Sequence, residues 1–259
     1  MNEIVLIGAG NVAWHLGHVL KEEGYHVAQV FSRTPKKANA LAKRLKCKST
    51  IHLGRIYSKA DLYIIAVHDD AIPLVAQKIA PRIQNSLVVH TSGSYSSKIL
   101  DPYFPRNGNF YPLQTFSTKR SIAFKGIPIF IQCLKKTDRT LLWKLAETLS
   151  GNVHDLKDQQ KPNLHLAAVI ANNFTNHLLG YAKEILDAEN LPFESIVPLL
   201  EETIEKLKVM DAKKAQTGPA KRGDVHVLQK HLSLIQKEEF KYLYKKLSSS
   251  INPSLKKKL

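Results

Sequence analysis

The sequence predicts an α/β fold in which a doubly wound parallel sheet is followed by an all-α C-terminal domain. Three observations carry this. Near-continuous apolar runs such as Leu62-Tyr63-Ile64-Ile65-Ala66-Val67 and Leu87-Val88-Val89 read as strands buried on both faces. Through the first half of the chain these runs alternate with amphipathic stretches of helical length. After Gly151 the strand-like runs stop and helical periodicity takes over. That change divides the 259 residues into an N-terminal domain, 1–152, and a helical domain, 153–259.

The first element is the short apolar run Ile4–Ile7, which leads into Gly8-Ala9-Gly10-Asn11-Val12-Ala13 and then an amphipathic segment to Leu20. A strand, a tight glycine turn and a helix start are what a dinucleotide pyrophosphate needs. Gly8 allows the sharp turn, and Gly10 lets a phosphate approach the backbone. Ala13, in place of a third glycine, still permits close helix–strand packing. The amides of Asn11 and Val12 belong to a helix N-terminus, where free N–H groups and the dipole favour anions. A turn of this shape that binds nothing is the alternative.

The second strand is expected at 26–31, ending in Phe31-Ser32-Arg33-Thr34. An NAD site carries an acid there for the ribose 2′-hydroxyl, and this chain has none. Arg33 attracts a 2′-phosphate, with Ser32 and Thr34 as hydroxyl partners. The reading is therefore NADP (NADPH) rather than NAD. Thr34 followed by Pro35 also suits a helix N-cap, so a purely capping role with Arg33 solvated stays open. Further strands are read at Asp61–Val67, Ser86–His90, Asn109–Phe116 and Ile127–Cys133, with helices at Ala71–Ala80 and Lys136–Leu149. The second half reads as a long helical pattern over 159–188, a break at Leu191-Pro192, and a helix over Glu194–Met210. A loop at Thr217–Asp224 and helices near 224–236 and 238–249 follow.

In open α/β sheets ligands sit beyond the carboxyl ends of the strands. Val67 and His68 emerge there beside the expected cofactor, and Thr91-Ser92-Gly93-Ser94 supplies hydroxyls near the reaction centre. Either segment can equally be a strand–helix turn, because Asp70 and Ser94 are ordinary capping residues. The stretch His165–His177 is apolar enough to be buried, yet at 100° per residue His165, Val169, Asn172 and Asn176 share one face. A buried polar row needs partners, which a ligand cleft or an interhelical network can provide. His165 is assigned as general acid, with Asn172 and Ser92 orienting the reacting atom. Thr91, Asn173, Thr217 and Arg222 are read as substrate contacts, Arg222 as a fork for a carboxylate or phosphate and Asp224 as a helix cap. A structural turn explains the 217–224 loop equally well.

A formal net charge of +16 suits anionic partners, but the sequence carries no nucleic-acid-binding signature, and its lysines are spread over helix faces. No apolar run is long enough to span a bilayer, and no signal peptide is read at the N-terminus. Cys47 and Cys133 are far apart, which fits a reducing cytoplasm. No metal-ligand spacing occurs among the histidines and cysteines.

The segments His90-Thr91-Ser92-Gly93-Ser94, Tyr111-Pro112-Leu113-Gln114-Thr115-Phe116, His165–His177 and Thr217–Asp224 together resemble an uncharacterised bacterial family. That family couples a Rossmann-like NADP-binding domain to a helical C-terminal domain of unknown function. The N-terminal unit also resembles the superfamily of pyrroline carboxylate reductase, deazaflavin-dependent NADP reductase and the β-hydroxyacid dehydrogenases. The resemblance implies an oxidoreductase with the helical domain over the nicotinamide, and a homodimer through that domain. Two departures stand out. The family often has His before Pro-Leu-Gln, where this chain has Tyr111. The β-hydroxyacid dehydrogenases place Lys four residues before Asn on the interdomain helix, whereas here Ala168 precedes Asn172 and Val169 precedes Asn173 at that offset. The expected function is an NADP-dependent reductase or dehydrogenase moving hydride between nicotinamide and a small anionic substrate. The alternative is an NADP-binding regulator without turnover.

Overall fold

The strands of the sheet are short, and in the central ones alternate residues feed two different cores. The computed structural model describes residues 3–83 and 85–259. The first strand, β1 (Glu3–Ile7), sends Ile4 and Leu6 to one face and Val5 and Ile7 to the other, as the two-residue pleat requires. On the first face lie α1 (Asn11–Glu22), α2 (Pro35–Leu45) and α4 (Lys136–Leu149), which bury Leu16, Leu41 and Leu142. On the second lie α3 (Ile72–Ile79), with Ile72 and Ile79 buried, and the 97–104 segment with Leu100 and Phe104. Both faces being covered explains why the central strands β4 (Leu62–Ile65) and β5 (Leu87–His90) are wholly buried and carry no polar alternation.

The remaining strands are β2 (His26–Phe31), β3 (Lys48–Thr50), β6 (Asn107–Pro112), β7 (Ile129–Cys133) and β8 (Val153–Asp155). The sheet order is β3-β2-β1-β4-β5-β6-β7-β8. Pairing is parallel from β3 through β6, so the turns after β1, β4 and β5 open on one edge. The doubly wound sheet followed by helices is as expected, with one difference. β6 and β7 pair antiparallel, with Phe110 opposite Ile131. The 113–128 connection contains no helix, so the chain returns directly beside its own strand. α4 then provides a crossover and β8 is parallel to β7. The expected strand Asn109–Phe116 starts two residues earlier and stops at Pro112. The three-residue strands β3 and β8 are too short to leave a periodic signal.

The helical half begins with α5 (Lys161–Ala168), continues through a π-helical turn (Val169–Phe174) and runs on as α6 (Thr175–Ala188). Then come α7 (Val197–Val209), α8 (Ala212–Ala215), α9 (Pro219–Arg222), α10 (Val225–Leu234) and α11 (Glu238–Ile251). The chain divides into two compact units, the first ending at Asn173 and the second running from Phe174 to Leu259. α5 and the π turn as far as Asn173 therefore go with the sheet. The second unit has a small core of its own, in which Ala220, Leu228 and Leu255 are buried and Tyr181 stacks on Phe240 at 4.2 Å. Among the described residues no helix is long and apolar enough to cross a membrane.

Candidate functional site

The glycine turn after β1 is shaped by two different constraints. Gly8 has φ +129°, and a Cβ there would fall 2.0 Å from the Ala66 carbonyl oxygen at the end of β4. Its amide donates to Phe31 O at 2.8 Å, pinning the turn to β2 as well. Gly10 caps α1 with φ −85°, which any residue adopts, and a Cβ there would meet nothing within 4 Å. The backbone at Gly10 thus faces open space. The first bond of the helix is Trp14 N–H to Gly10 O at 2.9 Å, which leaves the preceding amides ahead of the ladder. Close packing of α1 onto the sheet falls at Gly17, where a Cβ would press Leu45 and Leu6, one turn beyond the Ala13 position expected to carry it.

The open space is a cavity of about 1000 Å³. Gly8, Gly10, Asn11 and Val12 line it, together with Ser32, Arg33 and Thr34 after β2. Val67, His68 and Thr91 line the wall below the ends of β4 and β5. The structure thus brings all nine predicted cofactor residues and Thr91 to one cavity. It adds Lys37, Arg55 and Lys78, which the sequence reading missed. No Asp or Glu occurs among the described residues lining it. The donor set fits a polyphosphate ligand: helix-terminal amides, four cations and no competing carboxylate. Lys37 was findable, one turn into α2 past Arg33, whereas Arg55 and Lys78 are distant in sequence and carry no motif. Thr34 caps α2 by position, but its hydroxyl makes no cap bond. Instead its amide donates to Ser32 Oγ at 3.2 Å, a tighter local turn.

A second cluster surrounds the residues next to Thr91. Ser92 is buried, and its Oγ accepts from Ser94 N at 3.1 Å and Tyr95 N at 3.0 Å, folding the 91–96 segment into a compact turn. His90 beneath it accepts at Nδ1 from Ser92 N and from the Asn109 amide, both at 3.2 Å, and donates from Nε2 to Ser96 O at 3.2 Å. Those partners define a neutral ring protonated on Nε2. Burial, helped by the nearby Lys161 cation, pushes its imidazolium down to about 3, in agreement. Asn109 also donates to the carbonyls of His90 and Ser92 at 2.8 and 3.1 Å.

Gly93 forms the crest of this turn. A Cβ there would lie 2.7 Å from both His165 Nδ1 and the Tyr111 hydroxyl. Those two groups are 3.5 Å apart. Tyr111 is the penultimate residue of β6 and His165 lies one turn into α5, so strand, turn and helix meet around Gly93. Burial, with Asp69 adding, raises the Tyr111 phenol above its ordinary value, so the hydroxyl keeps its proton at neutral pH. Lys161, four residues before His165, is completely buried and donates from Nζ to Tyr95 O. Tyr111 and Lys161 were both missed as site residues. Tyr111 stood out in the sequence only as the replacement for a histidine, and Lys161 only as one lysine among many.

The segment from His165 to Asn176 differs from expectation. The π turn rotates each residue through less than the 100° of an α-helix, so His165, Val169, Asn172 and Asn176 do not form the straight polar row predicted. The segment is not buried within the chain either. Asn172, Asn173 and Asn176 are exposed, as are Leu166, Ile170 and Phe174, and Asn172 donates only to Asn173 at 3.4 Å. Thr217 and Arg222 belong to the second unit. There Arg222 pairs with Asp224 at 2.8 Å, which occupies both the guanidinium read as an anion fork and the carboxylate read as a helix cap.

Comparison with known proteins supplies the context. Residues 3–93 match the family described as NADP oxidoreductase, coenzyme F420-dependent, and residues 127–251 match a domain of unknown function, DUF2520. A crystal structure of a candidate NADP oxidoreductase from Bacteroides fragilis is 40% identical, with 97% of this chain and 98% of that one covered and a TM-score of 0.93. An imine reductase from Myxococcus stipitatus in complex with NADP+ shares the fold at 15% identity and TM-score 0.66, covering 98% and 93%. So does a pyrroline-5-carboxylate reductase from Coxiella burnetii, at 14% and 0.62, covering 98% and 97%. Among curated proteins none matches.

Proposed function

We propose, from the premise that this chain belongs to the family joining an NADP oxidoreductase domain to DUF2520, that it is an NADP-dependent reductase or dehydrogenase of a small anionic substrate. The observation that carries the reading is the cavity below the glycine turn, with Arg33, Lys37, Arg55 and Lys78 around it and no carboxylate among its described lining residues. Bound there, the nicotinamide cofactor would supply the hydride. The amides after Gly10 hold the diphosphate, and Arg33 with Ser32 and Thr34 holds the 2′-phosphate. Val67, His68 and Thr91 line the course toward the nicotinamide end.

His165 serves as the proton donor to a C=O or C=N group, with Tyr111 as its partner. As imidazolium, His165 donates Nδ1–H to the Tyr111 oxygen and keeps the Nε2 proton for transfer. Losing that proton leaves the neutral Nδ1–H tautomer with the same hydrogen bond intact. Ser92 shapes the turn that brings Gly93 against this pair, and so acts on the reacting group through the backbone. Asn172 and Asn173 are exposed and take no part in the proposed step. Within the second unit, Arg222 is engaged by Asp224.

The second unit buries little of its apolar surface. α7 contains no buried residue, with Leu199 at 67% and Val209 at 81% exposure. Surfaces of that kind are partner sites far more often than solvated ones. A second copy of this chain is the proposed occupant, as the family resemblance implies.

The test is calorimetric titration with NADPH and NADH, followed by NADPH oxidation against cyclic imines, 2-keto acids and hydroxy acids. Tight NADPH binding and turnover on at least one class are expected. His165→Ala should then lower kcat about 10²- to 10⁴-fold, the range for loss of a general acid, with NADPH affinity unchanged. Equal loss of both quantities removes the proton-donor role, and binding without any turnover points to a regulator. No heat with either nucleotide overturns the whole reading.

A further inference from the structure

Lys161 is the only fully buried lysine among the described residues, and the mechanism above gives it no part. A buried ammonium is costly unless hydrogen-bonded and paired. Its Nζ donates to the Tyr95 carbonyl, the last link of the turn that begins at Thr91. Every element packed around it bears on that turn. From the segment before α5, Asp158 accepts from Ser96 Oγ and also faces Lys98 at 3.6 Å. From the turn between β4 and α3, Asp69 adds negative charge. From β5, neutral His90 donates to Ser96 O and accepts from Ser92 N. One turn along α5 from Lys161, His165 meets Tyr111 over Gly93.

We propose that Lys161 is a positioning residue: by holding the Tyr95 carbonyl it fixes the Thr91–Ser96 turn and so sets the distance between Gly93 and the His165–Tyr111 pair. The turn is fastened from inside by Ser92 Oγ and at its far end by Lys161, while Gly93 between the two fastenings carries the contact with the pair. Loosening either end moves Gly93. Burial brings the Lys161 ammonium down from 10.5 to about 7, although Asp158 and Asp69 pull the other way. As pH rises through that value the charge leaves, the charge-assisted bond to Tyr95 O becomes an ordinary one, and the turn loosens. The consequence for turnover rests on the proposed role of His165, whereas the behaviour of the turn does not.

Amide hydrogen exchange over residues 91–96 of the full-length protein tests this directly, with protection normalised to the intrinsic rate at each pH. Protection should fall about fivefold between pH 6 and pH 9, the difference between a charged and a neutral hydrogen bond, and other peptides should not follow. In Lys161→Met the segment should be weakly protected and flat with pH. Lys161→Arg, which cannot lose its charge, should keep protection at both ends. With any substrate that turns over, Lys161→Met should lower kcat while NADPH affinity stays within about threefold, because the turn meets the cofactor cavity only through Thr91. Protection of the wild-type turn that does not change with pH overturns the proposal, and so does a Lys161→Met turn as protected as the wild type. The wild-type titration decides the matter even if neither variant folds. Absence of NADPH binding by the wild type would remove the proposed function and leave the exchange result to stand by itself.

Discussion

At Gly8 the fold needs a missing side chain, and at Gly10 a ligand does. The same substitution separates them. Gly8→Ala drives a methyl into the Ala66 carbonyl and forces φ +129° on a residue with a Cβ, so it should destabilise the protein by about 3 kcal/mol or more. Gly10→Ala meets nothing within 4 Å and sits at an allowed φ, so stability should change by less than about 1 kcal/mol. NADPH affinity should nevertheless fall at least about tenfold in Gly10→Ala, because the methyl occupies the space the diphosphate needs. Urea denaturation beside calorimetry reads both quantities. An unfolded Gly10→Ala, or one that binds NADPH normally, removes the assignment. This turn was legible because its spacing encodes geometry directly. The Gly93 contact was not, because what makes that glycine matter is Tyr111 and His165, far away in sequence and brought together only by folding.

Elements with a strong period were read closely. The strand at 26–31 and the helix at 136–149 fall where the sequence placed them, the strand feeding Val27 and Val30 to one core and Phe31 to the other, the helix burying Leu142, Leu145 and Leu149 in the first. The antiparallel β6–β7 pair was not foreseen, because strand direction depends on whether the connection contains a helix, and 113–128 offers no clear pattern either way. The π turn at 169–174 escaped for a related reason: an α-period extrapolated through it looks uninterrupted in sequence. The exposed apolar residues that follow show that apolar content alone does not say which chain provides the cover. If a second copy covers α7, the protein should sediment as a dimer. Leu199→Asp with Ile204→Asp should then shift it toward monomer, with little change in monomer stability, because both side chains are already exposed. A wild-type monomer at micromolar concentration, or an unchanged dimer in the double variant, argues for a different surface.

Over the whole molecule, charge links the cofactor reading to the proposed positioning lysine. The net +16 gives any anion a favourable approach, but that long-range part is screened by salt and cannot separate NADPH from NADH by contact. Arg33→Ser should therefore weaken NADPH by about tenfold or more and leave NADH nearly unchanged, at low and high salt alike. Lys161 works in the opposite sense, as a charge the fold would be more stable without. Its folded value of about 7 lies below the ordinary 10.5, so burial costs stability on the order of 5 kcal/mol wherever the folded protein keeps the proton, below pH 7. Between pH 7 and 10.5 the unfolded chain binds the proton that the folded one has shed, and the cost fades as pH rises. Lys161→Met also loses the ordinary hydrogen bond that even the neutral amine would donate to Tyr95 O, a penalty present at every pH. The stability of Lys161→Met relative to the wild type should therefore be greatest near pH 6 and decline steadily toward pH 9.5 in parallel urea titrations. A difference constant across that range would mean the buried lysine keeps its proton throughout, with a folded value close to the ordinary 10.5. A protein that retains so costly a group beside its proposed reaction centre should also lose turnover when the group is replaced, and the same two variants measure both sides of that exchange.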